Sequence, residues 1–223
     1  SGKWHLGDAH HAQHGFSFWY AHASGGGPYY NAPIIASDTE VRRETGYITD
    51  LITDNALVFL EQRCGRPEPF YLSLNFTAPH SPWARCEHPT SLFDDYYRNC
   101  PFASVPDVPI HPWCSWPEGA RYFESPDQRR EMLSGYYTAV TAMDANIGRV
   151  LDWLAAHNLR NDTLIVFTSD NGMNMGHHGI VGKGNGTSPL NMYETSVRVP
   201  TLISRPGHVP TGVVNADLLS HYD

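Results

Sequence analysis

Thr163-Leu164-Ile165-Val166-Phe167-Thr168-Ser169-Asp170-Asn171-Gly172 is the stretch from which the fold of this 223-residue chain can be read. A short apolar, β-branched run leads straight into a carboxylate, an amide and a glycine. An unbroken run of that length predicts a strand covered on both faces, as in a parallel sheet. Upstream, Ser125 to His157 carries Leu133, Tyr136, Val140, Met143, Ile147, Val150, Leu151 and Leu154 at steps of three and four, which predicts a long helix. Downstream, Pro200 to Ser204 is another short strand before Arg205-Pro206-Gly207. Residues 70–76 alternate, with Phe70, Leu72, Leu74 and Phe76 on one face, and predict a further strand. From Thr45 to Arg63 the apolar residues Ile48, Leu51, Ile52, Leu57, Val58 and Phe59 cover a helical face that Gly65 and Pro67 end. This order predicts an α/β fold, a mixed, mostly parallel sheet flanked by helices.

Two regions lack such patterns. Residues 1–37 are rich in Gly, His and aromatics, break at Gly25-Gly26-Gly27-Pro28, and read as loop with little regular structure. Residues 77–126 hold more than half of the prolines and three of the four cysteines, and read as a long irregular Pro-rich excursion.

Composition narrows the function. Lys and Arg number 15 against 23 Asp and Glu, a net charge of −8, and no basic block stands out. Such a chain is a poor partner for nucleic acid or anionic lipid. No apolar stretch reaches membrane-spanning length, and no signal-peptide core is present, so compartment stays open. Cys64, Cys86, Cys100 and Cys114 show neither zinc-finger spacing nor disulfide-scaffold density, and their pairing is undetermined. The chain opens Ser1-Gly2-Lys3-Trp4-His5 and closes inside an apolar pattern of Leu218, Leu219 and Tyr222, from which we expect a piece of a longer protein.

Chemistry gathers at the ends of two predicted strands, where α/β sheets bind ligands. One strand runs into Thr77-Ala78-Pro79-His80-Ser81-Pro82-Trp83, in which flanking prolines hold His80 in extended backbone. Read alone, this is either a surface turn or a fixed imidazole. Ser169-Asp170-Asn171-Gly172 suits either an ordinary turn or a hard, oxygen-seeking cation. The Gly-rich segment 176–186 lacks the phosphate-loop spacing but presents Lys183 to an anion. Lys3 and His5 lie two apart, on one side of an extended backbone with Trp4 on the other, a pair suited to an anionic leaving group. His10, His11 and His14 lack the companion Glu of a helical zinc site and read as loop. Phe16-Ser17-Phe18-Trp19-Tyr20, with Trp113 and Trp116, could form either a stacking rim for a sugar or aryl group or the core of the loop.

Gly2-Lys3-Trp4-His5-Leu6-Gly7, Ala78-Pro79-His80-Ser81-Pro82, Ser169-Asp170-Asn171-Gly172 and Gly182-Lys183 resemble, in that order, the sulfatase family of the alkaline-phosphatase superfamily. Tyr136-Tyr137, Met143-Asp144 and Gly148-Arg149-Val150 look like the helix before that family's metal loop, and Val199-Pro200 and Pro206-Gly207 also match. The resemblance implies a calcium-dependent sulfuric ester hydrolase. It makes Lys3 and His5 contacts of the sulfate and the nucleophile, His80 the partner of the ester oxygen, and Lys183 a ligand of the sulfate oxygens. It makes Asp170 and Asn171 ligands of Ca²⁺, with Mg²⁺ an alternative. Asn at position 171 resembles the calcium-binding sulfatases, whereas phosphatase relatives tend to carry His there.

The family's nucleophile is a formylglycine made from Cys or Ser within C/S-x-P/A/S-x-R, and none of the four cysteines stands in that motif. We therefore expect residues 1–223 to be part of a catalytic domain lacking its N-terminal segment and C-terminal subdomain, inactive alone, with an exposed apolar sheet face. The expected ligand is a sulfated small molecule or carbohydrate. Alternatives are a phosphate or phosphonate ester hydrolase of the same superfamily, and a fold that binds sulfated ligands without cleaving them.

Overall fold

The computed structural model describes residues 1–36 and 39–220. Strands β1 (Gly2–Lys3), β2 (Tyr20–His22), β3 (Ala32–Ala36) and β4 (Val41–Glu44) form one sheet in the order β1-β2-β3-β4. The expectation of mere loop across residues 1–37 is thus corrected. Each strand is too short to show a period, and it is pairing with a partner that makes it a strand. The sheet is mixed, but its parallel pairings are confined to β1, which runs alongside β2 and bridges to Asn75. The other described ladders are antiparallel, and β2, β3 and β4 are joined by connections too short for a parallel crossover. Neighbouring residues face opposite sides, as the pleat requires. Tyr20 and Ile34 pack beneath α1 (Ile48–Arg63) with Tyr29, Tyr47, Ile48 and Ile52. Ala21 and Ile35 pack on the other side with Ala9 and Trp19.

Residues 70–76 are extended and alternate as expected, with Leu74 and Phe76 packed against the first core cluster. They form a single bridge at Asn75 rather than the predicted strand: Asn75 exchanges hydrogen bonds with Ser1 and Lys3, and the Ser1 ammonium donates to the Ser73 carbonyl at 2.8 Å. The excursion at 77–126 is less irregular than its prolines suggest. It contains α2 (Thr90–Asn99) and α3 (Pro117–Ala120), with 3₁₀ turns at Arg85–Glu87 and Arg121–Phe123. Proline tolerates the residue before a helix and its first turn, and Pro89 and Pro117 occupy those places.

The predicted long helix is α4 (Pro126–Ala156), with Ser125 accepting a cap bond from the Gln128 N–H and Pro126 in the first turn. Ala139 and Ala142 meet the α1 side of the sheet, whereas Leu133 joins Trp83, Phe102, Val105, Tyr122, Met175 and Val181 in a second cluster. The strand predicted from Thr163 to Ser169 is β5 (Ile165–Phe167), followed by the hairpin β6 (Asn174–Met175) and β7 (Val181–Gly182), then α5 (Glu194–Val197) and β8 (Leu202–Ser204). β5 is not covered on both faces: it pairs antiparallel with β8, and Val166, Leu202 and Ile203 are exposed. Leu218 and Leu219 are also exposed, Tyr222 lies outside the described residues, and all four cysteines are free thiols. No helix among the described residues is long and apolar enough to cross a membrane.

Candidate active site

Six side chains singled out in the sequence come from four separate segments; Lys3, His80, Asp170, Asn171 and Lys183 meet in one place, and His5 lies against Gly25, next to the Gly26 that touches His80. Lys3 reaches it from β1. Its backbone N–H donates to the Asn75 carbonyl at 2.7 Å, and its Nζ lies 3.5 Å from Asp170 Oδ2. Gly2 permits that seam: its φ is +112°, and a Cβ there would lie 2.0 Å from the Asn75 oxygen. Trp4 packs edge-on against Phe16 and Trp19, and the exposed His5 ring lies against Gly25. The aromatics Phe16, Phe18 and Trp19 are therefore core, with the Trp19 indole donating to Ala9. Trp116 packs edge-on against Trp83, and Trp113 stays exposed.

His80 sits on a loop pinned from several sides. Its N–H donates to Thr77, the Tyr29 hydroxyl donates to its carbonyl at 2.7 Å, and the Trp83 indole donates to Pro79. The loop presses so closely on α4 that a Cβ at Gly135 would lie 2.1 Å from the Trp83 carbonyl. His80 Nδ1 lies 2.9 Å from the Ser81 carbonyl, so the network assigns the proton to Nδ1 and leaves Nε2 free to exchange one. Burial lowers the affinity of this imidazole for a proton, and the charges of Lys183 and Lys3 lower it further, against the Ser81 hydrogen bond and Asp170.

Asp170 and Asn171 leave the end of β5. The turn is closed by the Gly172 N–H donating to Ser196, and any side chain at Gly172 would collide with the Thr195 carbonyl at 2.3 Å. Lys183 donates to Asn171 Oδ1 at 3.0 Å, while Asn171 Nδ2 donates to the Gly172 carbonyl. Burial lowers the Lys183 pKa; Asp170 opposes the shift and Lys3 adds to it. The sequence does not single out the scaffold behind this pair. Buried Asn174 donates to the Gly182 carbonyl at 3.0 Å and to Ser196 Oγ at 2.7 Å, and Asn191 donates to the Lys183 carbonyl. Three polar residues thereby tie the lysine loop to the Asp-Asn-Gly turn.

Asp170 and Asn171 offer oxygen donors only, the chemistry a hard cation takes. Among the described residues no group of three or more His, Cys, Asp or Glu side chains stands ready to hold a metal. Two oxygens are a fraction of the six to eight that Ca²⁺ takes, so further ligands would have to join them. His10 and His11 lie elsewhere, His11 paired with Asp8 and His10 near the Thr39 carbonyl. A cavity of about 310 Å³ beside those histidines and Trp19 includes none of the six residues.

The sequence model of the family described as Sulfatase matches residues 1–223. An N-acetylglucosamine-6-O-sulfatase of Bacteroides thetaiotaomicron is 27% identical over all of this chain and 49% of its own length. A solved complex with the substrate D-glucosamine-2-N,6-O-disulfate superposes with a TM-score of 0.65 at 27% identity, covering 92% of this chain and 52% of that one. The structure of Ps i-CgsB with k-i-k-neocarrahexaose superposes with a TM-score of 0.63 at 26% identity, covering 95% and 45%. The chain spans about half the length of these three relatives.

Proposed function

The chain belongs to the sulfatase family, and on that premise we propose that its site takes part in hydrolysing a sulfate ester. The observation that carries the reading is the pairing of two ammonium groups with the two oxygen donors of one turn: Lys3 with Asp170 and Lys183 with Asn171. A sulfate monoester carries negative charge on three oxygens, and charge moves onto the bridging oxygen as the sulfur–oxygen bond breaks. Fixed cationic groups aimed at those atoms favour the transition state over the ground state.

In this reading Lys3 and Lys183 hold the sulfate oxygens, and His5 faces the sulfate and the attacking group. His80 hands a proton from Nε2 to the departing ester oxygen. An anion brought beside His80 would offset the two lysine charges that disfavour its protonated form. Asp170 and Asn171 would hold Ca²⁺, or Mg²⁺ in its place, which when bound supplies Lewis-acid charge to the sulfate. The attacking group, expected to be a formylglycine, would come from outside these residues. The ligands bound in two of the similar structures, a glucosamine disulfate and a neocarrahexaose, favour a sulfated carbohydrate as substrate.

The test is release of inorganic sulfate by the whole protein from glucosamine sulfates and from 4-nitrophenyl sulfate, run beside the matching phosphate esters. Sulfate release that needs Lys3 and Lys183 supports the reading. Preference for the phosphate esters transfers it to phosphoryl chemistry, and tight binding without turnover leaves a binding fold.

A further inference from the structure

Gly25-Gly26-Gly27 lies against three imidazoles, one to each glycine. A Cβ on Gly25 would stand 2.2 Å from Cε1 and 2.3 Å from Nε2 of His5. One on Gly26 would stand 3.1 Å from Cε1 of His80, and one on Gly27 would stand 3.0 Å from Cε1 of His22. The first two rings are site residues. The third, at the end of β2 and in register with Lys3, is fully buried.

The strap is fixed at both ends. At its start His22 Nδ1 lies 2.8 Å from the Ser24 carbonyl, and the Ser24 hydroxyl donates to the Gly26 carbonyl at 2.7 Å. At its finish, after Pro28, the Tyr29 N–H donates to Glu87 and the Tyr29 hydroxyl donates to the carbonyl of His80 itself. The Ser24 N–H also lies 3.2 Å from Nδ1; the shorter contact, to the Ser24 carbonyl, assigns the proton to Nδ1 and leaves Nε2 a bare acceptor, buried and without a partner among the described residues. Burial, with Lys3 adding to it and the Ser24 bond opposing it, favours the uncharged ring. His22 therefore works through one atom, Nδ1, whose polar contacts are all with Ser24, and the rest of the ring fills space beneath Gly27.

We propose that Gly25-Gly26-Gly27, held in shape by His22 and Ser24, is the positioning strap of His5 and His80: the side chains missing at 25 and 26 leave the places those two imidazoles occupy. The inference rests on the sulfate-ester reading only for its kinetic arm. It separates the three glycines by what each neighbour can do. His5 is exposed and can swing away, so Gly25→Ala displaces a site residue at little cost to the fold. His80 is held by its loop and yields by a few tenths of an ångström. His22 has nowhere to go, so Gly27→Ala disturbs the strap and the fold together.

The experiment uses the whole protein with Gly25→Ala, Gly26→Ala, Gly27→Ala, His22→Asn and His22→Leu, measured for kcat, KM and thermal midpoint on whichever sulfate ester the unmodified protein hydrolyses. Gly25→Ala and Gly26→Ala are expected to lower kcat about tenfold or more, with KM and midpoint nearly unchanged, because misplacing a reacting group acts on the chemical step. His22→Asn keeps an N–H where Nδ1 stood and retains activity; His22→Leu does not. Unchanged kcat in both glycine variants overturns the proposal, as does equal loss in His22→Asn and His22→Leu, or a loss of kcat that merely follows the midpoint. If the unmodified protein cleaves no sulfate ester, the functional reading fails and the strap is read by ¹⁵N imidazole spectra. These must show His22 and His80 as Nδ1–H tautomers and a displaced His5 signal in Gly25→Ala. Unmoved His5 and His80 signals overturn the strap independently of activity.

Discussion

Lys3 Nζ and Asp170 Oδ2 lie 3.5 Å apart, joining the first strand of the chain to the turn after β5. The lysine is nearly enclosed, with 14% of its side chain exposed, whereas the aspartate is 66% exposed. A half-solvated pair of this kind contributes little to stability, under about 1 kcal/mol. Its importance lies in where it holds the ammonium group. Lys3→Met is expected to lower kcat/KM for a sulfate ester by about 10²- to 10³-fold, and the thermal midpoint should hardly move. A loss of activity matched by a loss of folding would show that the pair is structural.

His80 makes a prediction about leaving groups. A proton donor matters most where the departing oxygen is basic and least where it is acidic. His80→Ala should therefore cost about 10²- to 10⁴-fold in kcat on a sugar or alkyl sulfate, and far less on 4-nitrophenyl sulfate. Equal losses on both would remove His80 from the proton-transfer step.

The oxygen pair at the end of β5 predicts dependence on a hard cation. Chelation of divalent ions should abolish sulfate release, Ca²⁺ should restore it and Mg²⁺ should do so in part. Asp170→Asn should raise the Ca²⁺ concentration needed for half-activation by about 10- to 100-fold. Full activity after exhaustive chelation would reassign Asp170 and Asn171 to holding the two lysines.

Gly135 and Gly148 lie on the same helix and make opposite predictions. A Cβ at Gly135 meets the Trp83 carbonyl at 2.1 Å, whereas nothing lies within 4 Å of one at Gly148. Gly135→Ala should destabilise by about 1–3 kcal/mol, the usual result of overpacking, and should disturb the His80 loop. Gly148→Ala should stabilise by about 0.5–1 kcal/mol by restricting the unfolded chain. Urea melts of the two variants decide both.

His88 predicts the acid limb of stability. It is buried, accepts from the Tyr47 hydroxyl and donates to the Pro82 carbonyl, and burial holds its pKa down to about 4. Between pH 6.5 and 4 the unfolded chain takes up a proton that the folded chain refuses. The stabilisation is thus complete above 6.5 and is lost as pH falls toward 4, by on the order of 3 kcal/mol. His88→Gln, which keeps a donor for Pro82, should be less stable at neutral pH and should lose that slope.

The residues at the site were legible before their arrangement was. Lys3 and His5 at alternate positions, His80 between prolines, Asp170-Asn171-Gly172 at a strand end and Lys183 among glycines each carry a local signal that also allows a plain structural reading, because backbone direction and side-chain chemistry are written in adjacent residues. The family resemblance joined them into one expected site. The long helices α1 and α4 were legible for the same reason, since a period of 3.6 repeats many times within each. The short strands of residues 1–44 were not, because two to five residues hold no period. Nor was α2, whose flanking prolines mask it until Phe93 is seen buried at its centre.

The sequence by itself determined the α/β class and the two main helices, and its family resemblance nominated the six residues expected at the site. Only the tertiary structure decided that β5 pairs antiparallel with β8, that Asn174, Asn191 and Ser196 brace the lysine loop, and that Gly25-Gly26-Gly27 is a seat for imidazoles rather than a mere break. The physical reason is distance along the chain. A glycine's local signal is freedom of the backbone, whereas its use here is the absence of a side chain where a distant residue must stand, and that is defined only once the distant residue has arrived.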